Sequence, residues 1–564
     1  MLCSICSCSK KSKHILLFPR WQNQSRSRWL VEKRHELLSE KCLYSNKSKS
    51  ADKKFRYPIP WTDPAFYNKN SLERETRRVF DVCNGCRLCY SLCDSFPNLF
   101  DLVDGSKTED VDSLSTTDFS KVVNSCTLCD MCYINKCPYT PPHPLNIDFP
   151  KLMLRHKSVE TSGKHDVVKL DRFGIDRKLA SVQESTGSKF GSDSTHRSAT
   201  GVSNVDTMSK QSIFTKLMSK NYLHSLYTNM DLMGTIATSS RFMTNLVNWI
   251  TQTTDPPSFA RIILSKFAHI HERAKLPVYV SREETFVRSW KRLNQLPNKK
   301  AKAFATKKRI TIYATCSVNF NKPHIGEAAH AVLLHNGIEP HVEYNRCCSM
   351  PQFEAGKLVR VAQVAIDLAE RLCMYIKQGH DIVVLTPSCL LMMKQEWPLL
   401  IPNNENIHIL SKNCYDLTEY MVKLKKEIGI VPIPELDTTV SLHHACHSRS
   451  QNVGFKALEL LKMIPKLKIA TIERCSGHGG SFGVQKKGFE IANKVGKNVF
   501  KQTLENIERC TTDEHFISSE CPLSVEHIEQ GVTDLAKQAG KILDRAKIQT
   551  KHPIEILARA YRLC

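Results

Sequence analysis

Short apolar runs punctuate the second half of the chain, and each stops at a cysteine. RITIYATC ends at Cys316, IEPHVEYNRCC at Cys347 and Cys348, and DIVVLTPSC at Cys389. The pattern then returns: TTVSLHHAC ends at Cys446, LKIATIERC at Cys475 and HFISSEC at Cys521, at offsets of 130, 128 and 132 residues. Runs rich in β-branched residues and bounded by polar ones predict buried strands. The stretches between them carry a helical period. HIGEAAHAVLLHNG is closed by Gly337 in the C-cap role, and a long helix is expected from about Phe353 to Lys377. Strands alternating with helices predict parallel sheets, and the repeat predicts two of them. Every repeat cysteine then lies at the carboxyl end of a strand, where open α/β sheets bind ligands.

Upstream the patterning changes. Between residues 213 and 300, SIFTKLMSKNYLHSLYTNM, SRFMTNLVNWITQ and DPPSFARIILSKFAHI place apolar residues at helical spacing. Their aromatic and Met stripes read as packing faces rather than as a cofactor box; with their basic residues the same segments also fit a membrane surface. Residues 156–212 are rich in Ser, Thr, Lys, Gly and Asp and hold too few apolar residues to order themselves, so a flexible insertion is expected. Residues 56–155 are rich in Cys and Pro and lack long periodic runs.

Composition narrows the class. With 564 residues, 41% hydrophobic and 24% charged, the chain is globular and multidomain, neither collagen-like nor wholly disordered. It contains no long uninterrupted apolar run, so no membrane-spanning helix is expected. The net charge of +24 is concentrated in part at the start, where the first fifty residues hold eleven Lys/Arg, ten Ser and three acidic residues. An Arg- and Ser-rich, acid-poor start resembles a mitochondrial transit peptide; a basic unstructured extension is the alternative, with the cytoplasm or the inner face of a membrane as the location. No helix-turn-helix or C2H2 pattern appears, so nucleic acid is not an expected partner, and no phosphate-binding Gly motif follows a strand.

The strongest chemical signal is a pair of cysteine runs. Cys83, Cys86, Cys89 and Cys93 read C-x2-C-x2-C-x3-C, and Cys126, Cys129, Cys132 and Cys137 read C-x2-C-x2-C-x4-C-P. Three thiolates two residues apart wrap one corner of a cubane, and the fourth reaches the other cluster. That crossover assigns Cys83, Cys86, Cys89 and Cys137 to one [4Fe–4S] cluster and Cys126, Cys129, Cys132 and Cys93 to a second. Zinc is the alternative for thiolate sets, but zinc modules show two C-x2-C pairs or a closing His pair. Reduced thiols also imply a reducing compartment.

With CTLCDMCYINKCPYTPPHP, RCCSMPQFEAG, PSCLLMMKQEWPLL, HHACHSRSQNVG and ERCSGHGGSFG, the chain resembles a family of iron–sulfur proteins. That family comprises the C subunit of anaerobic glycerol-3-phosphate dehydrogenase and the heterodisulfide reductase-related proteins. The resemblance covers about residues 57–155 and 213–545. It implies a two-cluster ferredoxin-like module followed by two Cys-rich "CCG" domains. It further implies an oxidoreductase subunit that takes electrons from a flavoprotein dehydrogenase of glycerol 3-phosphate or a 2-hydroxy acid and passes them to a quinone or other acceptor. Association with a membrane would be peripheral. A self-contained reductase acting at the Cys-rich repeats is the runner-up.

Relatives bind an unusual cluster in such domains through a Cys–Cys pair and a terminal C-x2-C, and this sequence departs from that pattern. Repeat 1 keeps Cys316, Cys347, Cys348 and Cys389 but has Ser349 where the family has Gly; repeat 2 keeps Cys446, Cys475 and Cys521, with His447 or His478 nearby. The first set is a candidate further iron–sulfur site and the second a weaker one. Packed free cysteines are the alternative. His443 and His444 belong to the same neighbourhood, and GHGGSFG from Gly477 predicts a tight loop. The expected architecture is α+β and α/β multidomain: a basic segment 1–55, a helical two-[4Fe–4S] ferredoxin-like module 56–155, an insertion 156–212 and a helical connecting region 213–300. Two parallel α/β Cys-rich domains follow, 301–430 and 431–550, and then a tail 551–564.

Overall fold

A computed structural model describes residues 56–161, 228–254, 256–294, 308–544 and 546–563. The basic start with Cys3, Cys6 and Cys8, the Ser-rich stretch from 162 onward and most of SIFTKLMSKNYLHSLYTNM lie outside the described residues.

The two predicted sheets are present, and both are wholly parallel. The first contains β1 (Arg309–Tyr313), β2 (Pro340–Glu343), β3 (His380–Val384) and β4 (Cys414–Asp416), in the order β2-β1-β3-β4. The second contains β5 (Thr439–His443), β6 (Lys468–Ile472), β7 (His515–Ser519) and β8 (Ile548–Lys551), in the order β6-β5-β7-β8. Each half therefore holds four strands, one more than the apolar runs predicted. The additional strands, CYD and IQTK, are too short and too polar to register as periodic runs. Strand order reverses beside β1 and beside β5, and at such a switch point the loops splay to leave a crevice.

The cysteines stand slightly past the strand ends. Cys316 opens the short helix Cys316–Phe320 behind the N-cap Thr315, whose hydroxyl accepts from Val318 N. Cys446 opens the helix Cys446–Arg449, and Cys521 caps the helix Pro522–Gln538. The expected helix from Phe353 to Lys377 is broken into Met350–Glu354 and Leu358–Lys377. The reason is Gly356, at φ 75°, where a Cβ would stand 2.5 Å from the Lys157 backbone carbon. Only glycine lets the two backbones approach so closely.

The parts share cores rather than standing apart. The module around the Cys runs is built on the helices Lys69–Cys86, Ser95–Asp104, Thr116–Asn124 and Phe149–Thr161, and the last of these crosses the expected boundary at 155. Its core of Phe80, Phe96 and Phe119 is continuous with Leu368, Leu372 and Trp397 of the first α/β unit. The other face of that unit shares a core with the second through Val332, Leu424, Val440 and Phe516. The expected C-terminal tail is corrected. Residues from 551 complete β8 and form the helix Pro553–Ala560, whose Ile554, Ile556 and Leu557 are fully buried and which packs on the helix Pro323–His335 of the first unit. A stretch of eight apolar-periodic residues is short enough to be read as a tail until a partner face is seen.

Candidate metal centre

The first Cys run begins inside a helix. Cys83 and Cys86 lie one turn apart at the end of Lys69–Cys86, which Arg87 terminates in the left-handed conformation at φ 51°, turning the chain so that Cys89 comes back toward them. Cys93 follows, just ahead of the helix Ser95–Asp104. The second run folds through alternating left-handed residues, Leu128 at φ 52° and Asp130 at φ 59°, and a π turn that closes with Cys137 N donating to Cys132 O at 2.8 Å.

Electrostatics shows which thiols face one another. Burial pushes the Cys83 thiol up, and Cys137, Cys89 and Cys86 push it further. Cys89 rises to about 11 through burial and then through Cys137 and Cys86. Burial, Cys129 and Cys126 raise Cys93 well above the ordinary thiol range, and burial, Cys129, Cys126 and Cys93 do the same to Cys132. Charge coupling thus links Cys83, Cys86, Cys89 and Cys137 with one another and Cys93, Cys126, Cys129 and Cys132 with one another, and Cys89 also acts on Cys132. These residues fit iron–sulfur clusters. None of the eight is in a disulfide, and the burial and mutual repulsion that oppose their ionisation are reversed by a bound cationic centre. Among the described residues no three Cys, His, Asp or Glu side chains close to the spacing that one metal ion needs.

The loop of the second group is tied down by a residue that carries no motif. Largely covered Arg56 donates to Asp130 at 2.6 and 3.0 Å, to Asp148 at 2.8 and 3.0 Å and to Glu396 of the first α/β unit at 3.3 Å, and lies over the Tyr133 ring. Burial and neighbouring Asp130 hold the Glu396 carboxyl well above the carboxylate range.

In repeat 1 the four cysteines meet as two close pairs. Cys316 Sγ is 3.7 Å from Cys347 Sγ, and Cys348 Sγ is 3.2 Å from Cys389 Sγ. Ser349 adopts φ 66°, the left-handed conformation that glycine supplies without strain, and its N–H donates to Cys347 Sγ at 3.4 Å. Thiol hydrogen bonds from Cys316 and Cys348 hold Cys347 well below the ordinary thiol range, while its two donors are raised. Asp231, on the helix Met230–Ala237 of the connecting region, closes this site. Its carboxylate accepts from Cys347 N at 2.8 and 2.9 Å and from Tyr344 OH at 2.5 Å. A lone Asp over a hundred residues from its partners carries no sequence signal.

Repeat 2 meets the second group. Cys446 is raised by burial and then by Cys129, Cys475 and Cys521, and Cys129 reaches about 12 through burial and Cys475. Cys446, Cys475 and Cys521 therefore gather beside a thiol of the ferredoxin-like module. His447 bridges the repeats: its Nδ1 meets Ser388 Oγ at 2.7 Å, its Nε2 is buried without a hydrogen-bond partner, and burial lowers it to about 4. His478 falls to about 3 by burial, and its Nδ1 accepts from Gly480 N at 3.0 Å. His443 is satisfied within the fold by Ser519 Oγ and Arg474 O, whereas His444 lies against the Phe455 ring. The glycines of GHGGSFG are explained by packing. At Gly477 (φ 78°) a Cβ would lie 2.0 Å from Ala492 O, and at Gly480 it would lie 2.7 Å from a Glu354 carboxylate oxygen.

Comparison with known proteins follows the same division. Residues 76–162 match the family model described as the Citrate utilization protein B Fer4-like domain, and residues 310–394 match the Cysteine-rich domain. The chain is similar to an uncharacterized iron–sulfur protein of Methanococcus maripaludis, at 28% identity over 42% of this chain and 44% of that protein, so it spans under half of that relative's length. It is similar to the C subunit of the anaerobic glycerol-3-phosphate dehydrogenase of Escherichia coli, at 24% identity over 59% of this chain and 76% of that protein. The D subunit of the dihydromethanophenazine:CoB–CoM heterodisulfide reductase of Methanosarcina acetivorans is 27% identical over 46% of this chain and 60% of its own length.

Proposed function

We propose that the chain is the iron–sulfur electron-transfer subunit of an oxidoreductase. Cys83, Cys86, Cys89 and Cys137 would hold one [4Fe–4S] cluster and Cys93, Cys126, Cys129 and Cys132 a second, which when bound supply one-electron carriers. The carrying observation is that Cys129 lies near enough to Cys475 and Cys446 for their charges to act on one another, which extends the set of thiols from the helical module towards repeat 2. The protein's own residues hold the carriers in place. Arg56 fixes the Asp130 loop, and Lys157 Nζ donates to Cys126 O at 2.6 Å. A flavoprotein dehydrogenase of glycerol 3-phosphate or a 2-hydroxy acid is the proposed donor and a quinone or another acceptor the proposed sink. The chain would work at the membrane periphery, in the mitochondrial matrix or at its inner membrane if the basic start is a transit peptide, and otherwise in the cytoplasm. The thiols of repeats 1 and 2 are candidates for a further iron–sulfur site.

The runner-up, a self-contained reductase acting at the Cys-rich repeats, is disfavoured at repeat 1 by burial: Cys347, Cys348 and Cys389 are buried, and Asp231 caps the loop. Anaerobic iron and acid-labile sulfide content with EPR of the reduced protein tests the proposal. About eight irons and two interacting [4Fe–4S] signals support it; zinc with little iron sinks it.

A further inference from the structure

The helix Phe259–Ala268 is inside out. An amphipathic helix ordinarily turns its apolar stripe to the core. Here the buried positions are Arg261 and Ser265, each 1% exposed. The Arg261 guanidinium donates to the backbone carbonyls of Glu272 at 3.1 Å, His271 at 3.2 Å and Ala274, and Ser265 Oγ donates to Glu272 Oε1 at 2.6 Å. The apolar residues face outward: Phe259 is 78% exposed, Phe267 51%, Ile263 40% and Ile262 38%. The neighbouring helix Arg241–Thr251 buries Thr244 and packs Val247 against Ala237, Tyr279 and Phe320, yet leaves Phe242 (74%) and Trp249 (60%) exposed. The expectation that these stripes pack inward is overturned for Phe242, Trp249, Phe259 and Phe267, and in the helix Phe259–Ala268 Arg261 supplies the reason. Rolling the helix to hide its phenylalanines would pull the guanidinium off three carbonyls and leave those acceptors unpaired, at the cost of buried polar groups without partners.

An exposed apolar face that the fold holds open marks an interaction surface, and the charge on it selects the occupant. The charged residues exposed on the two helices are Arg241 and Lys266, and neither helix contains an acidic residue. Protein–protein interfaces deplete lysine and carry a rim of both signs. Aromatic and aliphatic side chains projecting from in-plane helices, with basic residues able to snorkel beside them, match the boundary between acyl chains and anionic headgroups. No helix among the described residues is long and apolar enough to cross a membrane, so contact through this face would be in-plane. We propose that the face formed by Phe242, Trp249, Phe259, Ile262, Ile263 and Phe267 seats the protein on an anionic lipid bilayer. This deepens the reading of a membrane-peripheral electron carrier and rests on it. It fixes the carrier's orientation toward an acceptor dissolved in the bilayer.

The test uses the full-length, anaerobically purified protein and vesicles of phosphatidylcholine with or without phosphatidylglycerol. Sedimentation with the anionic vesicles is expected, weaker with neutral ones and weakened by salt. Phe259→Ser with Phe267→Ser is expected to reduce partitioning by about tenfold or more, and Lys266→Glu by a smaller factor. Wild-type emission is expected to shift to the blue on binding, by less in Trp249→Phe. The substituted side chains point to solvent, so unchanged circular dichroism is expected and certifies the variants. Absence of wild-type binding, or binding indifferent to the Phe pair, overturns the proposal. So does lipid-free self-association that the Phe pair abolishes, which would make the face a contact between copies. Iron and sulfide measured on the same samples report separately on the electron-transfer reading, which stands if vesicle binding fails with iron intact.

Discussion

The two Cys-rich repeats share a strand order and a thiol at the end of each of their first three strands, yet they differ in what surrounds those thiols. Repeat 1 is closed. Its four thiols pair with one another, Asp231 seals their loop from a distant helix, and the Leu358–Lys377 helix buries them in the same core as the ferredoxin-like module. Repeat 2 has three thiols among histidines that burial keeps neutral, and it opens onto Cys129. Duplication supplied one scaffold twice; the residues at the strand ends set one copy as a self-paired thiol cluster and the other as a neighbour of the metal centre. A thiol at the carboxyl end of a strand is therefore only a position, and its chemistry comes from what packs against it.

The largest expected effect separates the two repeats by their distance from the module. Cys129→Ser should lower iron from about eight to about four per chain. Cys475→Ser should leave the iron of the module in place but alter the EPR line shape of the second group, whereas Cys316→Ser should leave that signal untouched. Equal effects of Cys475→Ser and Cys316→Ser would erase the contrast.

The seam where the two repeats meet the module comes next. Glu354 is enclosed between the Gly480–Ser481 loop and Lys157, and burial raises its carboxyl to about 7 from an ordinary 4.5. With the folded value above the unfolded one, the native state binds the extra proton between those two pH values. Stability from this group is therefore greatest at low pH and falls as pH rises from 4.5 to about 7, by at most about 3 kcal/mol. Urea unfolding across that window should show the slope in wild type and a flatter profile in Glu354→Gln. Identical profiles would mean that the seam is wet.

Repeat 1 offers the matching test. Asp231→Ala leaves Cys347 N and Tyr344 OH without their acceptor and should cost about 1–3 kcal/mol, read as a lower urea midpoint. It should also speed alkylation of Cys347, while alkylation of Cys446 stays unchanged. The smallest effect is expected at Ser349, where Ser349→Gly relieves the left-handed strain and changes stability by about 0.5–1 kcal/mol, less the entropy glycine costs the folded state. A destabilised Gly variant would show that the serine hydroxyl, not the backbone, matters there.

Much of this molecule was legible along the chain because its signals are local. Three thiols at two-residue gaps define a cluster corner within a dozen residues, and a β-branched run ending on cysteine defines a strand and its outlet, so both cysteine runs, both sheets and the duplication could be read directly. What depended on distant partners could not. The short strands Cys414–Asp416 and Ile548–Lys551 exist because β3 and β7 lie beside them. The last helix is buried because a helix from the other repeat receives it. Asp231 and Arg56 act on residues far along the chain, with nothing local to mark them. Helical periodicity also states that a face is apolar without stating where it points: Phe259 and Phe267 face outward because Arg261 is held by carbonyls inside. The elements, the thiol sets and their spacing follow from local geometry, and so they are written in the order of residues. Which repeat meets the metal centre, which is sealed and which apolar face stays open are set in three dimensions, because those outcomes depend on long-range packing and on where buried polar groups find their partners.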